Sequence, residues 1–132
     1  AFLSHSTFGQ PLTSRTKHIR DAVEILKNKK VDFKFDGDMQ PDVALNEEYS
    51  DLYPFSEIVG NANILIMPGQ HSAAISYKIM KALGGAKVIG PLLIGLGQPI
   101  EIAPLRSSTS DILNLASIAA YSAGIISYKK PN

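Results

Sequence analysis

Gly84–Asn114, GGAKVIGPLLIGLGQPIEIAPLRSSTSDILN, is the stretch on which the fold turns. The glycine pair ends whatever precedes it. Lys87–Ile94 is apolar and β-branched and predicts a strand, and Gln98–Pro104 predicts another after a Gly/Pro loop. The hydroxyl cluster Ser107-Ser108-Thr109 then opens a helix. At the carboxyl ends of parallel strands such a loop is a natural anion or nucleotide pocket. The remaining chain is expected to be the scaffold that places it.

Working outward, Ser108 caps a last helix to about Ser127, with Ile112, Leu115, Ala119, Ala123 and Ile126 on one face. The tail from Lys129 to Asn132 is expected to fray. Upstream, Gln70–Leu83 reads as a helix with a stripe of Ile75, Ile79 and Ala82 or Leu83, stopped by Gly84-Gly85. Asn61–Met67, NANILIM, reads as a buried strand ended by Pro68-Gly69. Glu47–Val59 is loop with helical turns, and Asp42–Asn46 a short helix. Val31–Asp36 alternates Val31, Phe33 and Phe35 and reads as a strand. A helix from Thr13 or Ser14 to about Lys29 carries Ile19, Ala22, Val23 and Leu26 on one face. Ala1–Ser6 is a first short strand. Strands alternating with helices predict a mostly parallel sheet flanked by helices in one α/β domain over 1–132.

The chain has 132 residues, enough for one domain with a core, and no cysteine, which excludes disulfides and Cys-based zinc sites. A net charge of +1 argues against a dedicated nucleic-acid binder. Val88–Leu105 is the most apolar run, but its glycines, prolines and Glu101 do not suit a membrane span. A cytoplasmic setting fits. The sequence opens at Ala1 inside an apolar segment, and the chain is expected to be a piece of something longer.

Asp36-Gly37-Asp38 places two carboxylates beside a strand end, a pattern of metal or substrate sites; a simple turn is the favoured reading. No His or third acid lies close by, so no metal site is expected. Ser108-x-x-Asp111 reads as a capping box, and Asp111 also suits a general base. Arg106, beside Ser107 and Ser108 at a helix start, suits a phosphate, although a lone loop arginine is more often solvated. Gly95-Leu96-Gly97 is no nucleotide fingerprint, and His5, His18 and His71 fall in three separate elements.

Ordered blocks along nearly the whole chain resemble the phosphate acetyl/butyryltransferase family. They are Leu3-Ser4-His5-Ser6-x-Phe8-Gly9, Asp36-Gly37-Asp38-Met39-Gln40-x-Asp42, Pro54-Phe55-Ser56, Ile75-x-Tyr77-Lys78, Ile89-Gly90-Pro91-Leu92-Leu93 and Ser108-x-x-Asp111-Ile112-x-Asn114. Within the family, the chain is most similar to the C-terminal transferase-like domain of bacterial hybrid NADP-dependent malic enzymes. The resemblance implies an isocitrate/isopropylmalate dehydrogenase-like fold, of which this chain is the second lobe plus the C-terminal helix. It implies a homodimer through this lobe. That helix would return to an absent first lobe, so its apolar face is expected to be partly exposed or covered by another chain.

Active family members move an acyl group between coenzyme A and phosphate. They carry Ser-Arg-Gly just before the final helix, and an Asp in its first turn acts as base on the thiol. Asp111 matches that Asp. Pro104, Leu105 and Arg106 stand at the Ser-Arg-Gly positions; a one-residue gap would bring Arg106 to the arginine position but leave Leu105 for serine. Asp-Gly-Asp replaces Asp-Gly-Glu, and Ala74 an Asn. Losing a fixed cation from a charged transition state costs several kcal/mol. The reading is therefore a regulatory and assembly domain that binds acetyl-CoA without catalysis. Arg106, Ser107, Ser108 and Asp111, with Asp36, Asp38, Gln40, Gly90 and Pro91, are its candidate ligand contacts, and Asp111 is a relic base. NADP and Mg or Mn would belong to a malic enzyme domain of the same parent chain. Neither nucleic acid nor membrane is an expected partner. The alternative is a working phosphate acetyltransferase with Asp111 as base and Arg106 on phosphate. A third reading is a dimerisation lobe without a ligand.

Overall fold

A computed structural model describes residues 1–85 and 87–129, with side chains to residue 125. Contacts divide the chain into two compact units, Ala1–Ile79 and Met80–Asn132.

The first unit is built around β1 (Phe2–Leu3), which pairs in parallel with β2 (Gly37–Met39). Phe2 faces Gly37 and Leu3 faces Met39, with an irregularity between the two pairs. On its other flank β1 is bridged in parallel by Ile66. Leu3, Met39 and Ala44 form the core, and Phe8, Val43, Ile58, Ala62, Leu65 and Met67 pack against it. Burying a side chain the size of Leu3 or Met39 contributes roughly 1.5–3 kcal/mol.

Helix α1 (Ser14–Lys27) starts where Thr13 accepts the Thr16 amide at 3.2 Å, while the Thr16 hydroxyl accepts the Thr13 amide at 2.8 Å. A threonine thus does the reciprocal work usually given to Glu or Gln in a capping box. Val23, from the expected apolar face, is buried. Helix α2 (Pro41–Leu45) has its proline in the first turn, where the missing N–H does no harm. A 3-10 turn follows over Glu47–Leu52.

Two strand expectations in this unit are corrected. Val31–Asp36 is not a strand; the pairing begins after it, at Gly37, because Phe2 donates to the Asp36 carbonyl at 2.9 Å and Ser4 to that of Met39 at 2.9 Å. Phe33, expected on a packed face, is 58% exposed. Asn61–Met67 is no named strand, but it pairs alongside β1 through the Phe2–Ile66 bridge and the Ile64 carbonyl, which accepts the Ala1 amine at 2.8 Å, and it is half-buried. Alternation puts Leu65 and Met67 against the core and Ile64 and Ile66 outward, while Ala62 packs on the core out of step with it.

Helix α3 (Gln70–Leu83) has the expected bounds, and the boundary between the units falls within it. It buries no residue, and its stripe of Ile75, Ile79 and Leu83 is exposed. In the second unit, neither Lys87–Ile94 nor Gln98–Pro104 forms a strand among the described residues. A strand needs a hydrogen-bonded neighbour, and Pro91, Pro99 and Pro104 have no N–H to give one. Helix α4 (Thr109–Lys129) closes the unit. Leu115 is buried, whereas Ile112 is 52% exposed, so the expected apolar face is partly open. The side chain of Ile126 and the tail beyond Lys129 lie outside the described residues. The sheet is thus smaller than expected, but its pairing is parallel.

Candidate functional site

The candidate residues fall into two groups, one in each unit. Asp36, Asp38 and Gln40 belong to the first. Gly37 and Asp38 are strand, not turn, which overturns the turn reading of Asp36-Gly37-Asp38. Asp38 is completely buried. One carboxylate oxygen accepts the Ser6 hydroxyl, and the other accepts the Gly9 amide at 3.0 Å. Its carbonyl accepts the Phe8 amide at 2.6 Å. Asp36 accepts the Gly37 amide at 2.9 Å and the Glu57 amide at 2.9 Å. Gln40 donates from Nε2 to the His5 carbonyl at 2.9 Å, and its amide donates to the Thr7 hydroxyl at 3.2 Å.

These contacts make β2 a latch. Asp38 and Gln40 tie down Ser4–Gln10, the loop at the carboxyl end of β1, and Asp36 ties down the segment entering Glu57. Buried acceptors must be satisfied, and each acid is satisfied by donors of this chain. Gly9 is needed where it stands because its φ is 83°, a left-handed conformation that a residue with a Cβ rarely adopts. Phe8 carries the loop into an aromatic cluster, with ring centroids 5.4 Å from Tyr53 and 4.8 Å from Phe55. Sequence reasoning missed Ser6 and Gly9 as partners of Asp38 and Thr7 as a partner of Gln40. The signal was available in the hydroxyl-rich run that follows an apolar strand.

Among the described residues, no group of three or more His, Asp or Glu is placed to hold a metal ion. No described helix is long and apolar enough to cross a membrane.

The second group lies at the start of α4. Asp111 accepts the Ser108 amide at 2.9 Å and the Ser108 hydroxyl at 2.8 Å, and its own amide donates to that hydroxyl at 3.2 Å. This is the capping geometry expected from the spacing. The backbone and hydroxyl hydrogen bonds from Ser108, aided by the charges of Lys81 and Lys87, hold the Asp111 carboxyl below its ordinary value. A base so stabilised accepts a proton poorly near neutral pH. Ser107 turns inward, its hydroxyl donating to the Pro104 carbonyl at 2.7 Å. Lys87 donates to the Ser110 hydroxyl at 3.0 Å. Arg106 is exposed, and Leu105 is fully so. Gly90 and Pro91 lie in irregular chain, with Gly90 at φ 135°.

Residues 1–120 match the family described as phosphate acetyl/butaryl transferase. The chain belongs to this transferase family. Among curated members it is 51% identical over 124 residues to the NADP-dependent malic enzyme of Rhizobium meliloti, covering 94% of this chain and 16% of that enzyme. It is 36% identical over 124 residues to the phosphate acetyltransferase of Clostridium acetobutylicum, covering 93% of this chain and 37% of the relative. Among solved structures, a phosphotransacetylase from Streptococcus pyogenes superposes with a TM-score of 0.85 at 35% identity, over 92% of this chain and 38% of the other. The transferase-family chain thus spans about a sixth of the malic enzyme and over a third of the transferases.

Proposed function

We propose that this chain is the transferase-like part of an NADP-dependent malic enzyme, a regulatory and assembly domain that binds acetyl-CoA without moving its acyl group. One observation carries the reading: at the start of α4 the base position is occupied in capping, and the position of the family arginine holds solvent-exposed Leu105. Asp111 holds two hydrogen bonds from Ser108, and no side chain of Pro104 or Leu105 offers charge to a phosphoryl oxygen. What this segment still offers an acyl-CoA is positive charge, from Arg106, Lys81 and Lys87 beside a helix N-terminus. Effector binding of this kind regulates only if it favours one conformation of the parent over another.

The parent reaction would be oxidative decarboxylation of malate to pyruvate, with NADP accepting hydride and Mg or Mn polarising the substrate. In this reading NADP and the metal belong to the rest of the parent, in a cytoplasmic setting. The fold proposed for the whole is the two-lobed architecture of isocitrate and isopropylmalate dehydrogenases, with this chain as a second lobe that dimerises.

The rival reading is an active phosphate acetyltransferase, and Arg106 favours it, since it stands one residue from the arginine position. Acetyl-phosphate formation from acetyl-CoA and phosphate, measured with the full-length protein, separates the two. We expect no turnover, together with acetyl-CoA binding heat and altered malate kinetics. Turnover abolished by Asp111→Asn would establish the rival. An absence of both heat and kinetic change would leave a purely structural lobe.

A further inference from the structure

An apolar groove of about 600 Å³ opens in the first unit, with Ala1, Phe2, Phe33, Phe35, Ile64 and Ile66 among its walls. Phe33 is 58% exposed and Ile64 64% exposed, so the groove is open and unfilled by this chain.

Its backbone is more informative than its side chains. The Ala1 amine donates to the Ile64 carbonyl at 2.8 Å, Ile66 donates to the Ala1 carbonyl at 2.8 Å, and Leu3 donates to the Ile66 carbonyl at 2.8 Å. That is a regular parallel ladder, and it runs unbroken to Ala1. On the other flank Phe2 donates to the Asp36 carbonyl. Continuing both ladders by one step defines four further groups: the Lys34 carbonyl and Asp36 amide on one side, and the Ala62 carbonyl and Ile64 amide on the other. Among the described residues none of the four has a hydrogen-bond partner. Lys34, Ala62 and Ile64 line the groove and Asp36 follows its wall residue Phe35, so the four groups stand in the order that an extended backbone entering Ala1 would need.

We propose that this groove is a strand slot, filled in the longer protein by the extended segment that runs directly into Ala1. The proposal rests on the reading of this chain as part of a longer one, which its coverage of only 16% of a malic enzyme relative supports. The residue before Ala1 would pair with the Lys34–Asp36 wall, and the one before that with the Ala62–Ile64 wall. Alternate side chains of the segment would cover Phe33 and Ile64.

Hydrogen exchange of the full-length protein, measured without acetyl-CoA, tests this. The Asp36 and Ile64 amides are expected to exchange about 100-fold or more slowly than unstructured amides, at a rate unchanged by dilution. Free exchange at both amides would overturn the proposal. So would protection that disappears on dilution, which would place a second copy in the groove. Protection seen only with acetyl-CoA would overturn it as well. Because the measurement omits the effector, it is independent of whether acetyl-CoA regulates the protein.

Discussion

Asp38 and Ser6, 32 residues apart in sequence, share a hydrogen bond in which both partners are completely buried. With the Gly9 amide on its second oxygen, the Asp38 carboxylate holds the loop after β1 to the edge of β2. Asp38→Ala would strand a buried hydroxyl and a buried amide. It should cost about 3 kcal/mol or more of stability, and Asp38→Asn about 1–3, since an amide accepts from only one of two converging donors. Urea unfolding followed by circular dichroism checks both; a loss below half of these values would mean that the latch does not hold the loop.

Gly37 lies against β1 so closely that an added Cβ would sit 2.6 Å from the Phe2 carbonyl oxygen, and its φ is 151°. The obstacle is backbone and cannot swing away. Gly37→Ala should therefore destabilise by about 2 kcal/mol or more and loosen the β1–β2 pairing. The thermal midpoint, with exchange of the Ser4 amide as a local reporter, would reveal this.

Ser108→Ala removes the side-chain half of the α4 cap and should cost about 1 kcal/mol. Loss of helical signal in guanidinium titrations is the readout.

The Asp111 carboxyl has its folded value lowered from the ordinary 3.8. Its contribution is thus fully present above that ordinary value and fades as the pH falls through the lowered one. The stability gap between the parent and Asp111→Asn should be constant near neutrality and shrink as the pH falls below that ordinary value. Denaturation curves across that span check it; a gap that persists in acid would show that the carboxylate charge is not what the cap uses.

If a missing cation silences acyl transfer, restoring one should matter. Pro104→Ser combined with Leu105→Arg, in the full-length protein, is expected to raise acetyl-phosphate formation above the parent's level. A coupled assay with acetyl-CoA and phosphate reads it. Unchanged background would put the deficit elsewhere.

Helices were legible because caps and stops are local chemistry. Gly84-Gly85 ended α3 at the expected residue, and Thr13, one of the two caps expected with Ser14, capped α1. Ser108 and Asp111 declared their geometry through spacing alone. Strands were less legible, since pairing is decided by a partner distant in sequence. Val31, Phe33 and Phe35 alternate well, yet Phe2 and Ser4 find their acceptors at Asp36 and Met39. Asp36-Gly37-Asp38 looked like a turn for the same reason: the Asp38 partners Ser6 and Gly9 lie 32 and 29 residues away, and the Glu57 amide on Asp36 lies 21 away. Within 87–104, β-branched residues argued for strand and prolines against it, and periodicity alone cannot weigh one against the other.

Helix α3 buries none of its side chains, leaving Ile75 57% and Leu83 83% exposed along one stripe. Produced in bacteria as this stretch alone, such a chain would be sticky, prone to precipitate on concentration and to bind fluorescent dyes that report greasy surface. Purification yield should then rise with charged replacements along that stripe, at little expense to the latch around Asp38.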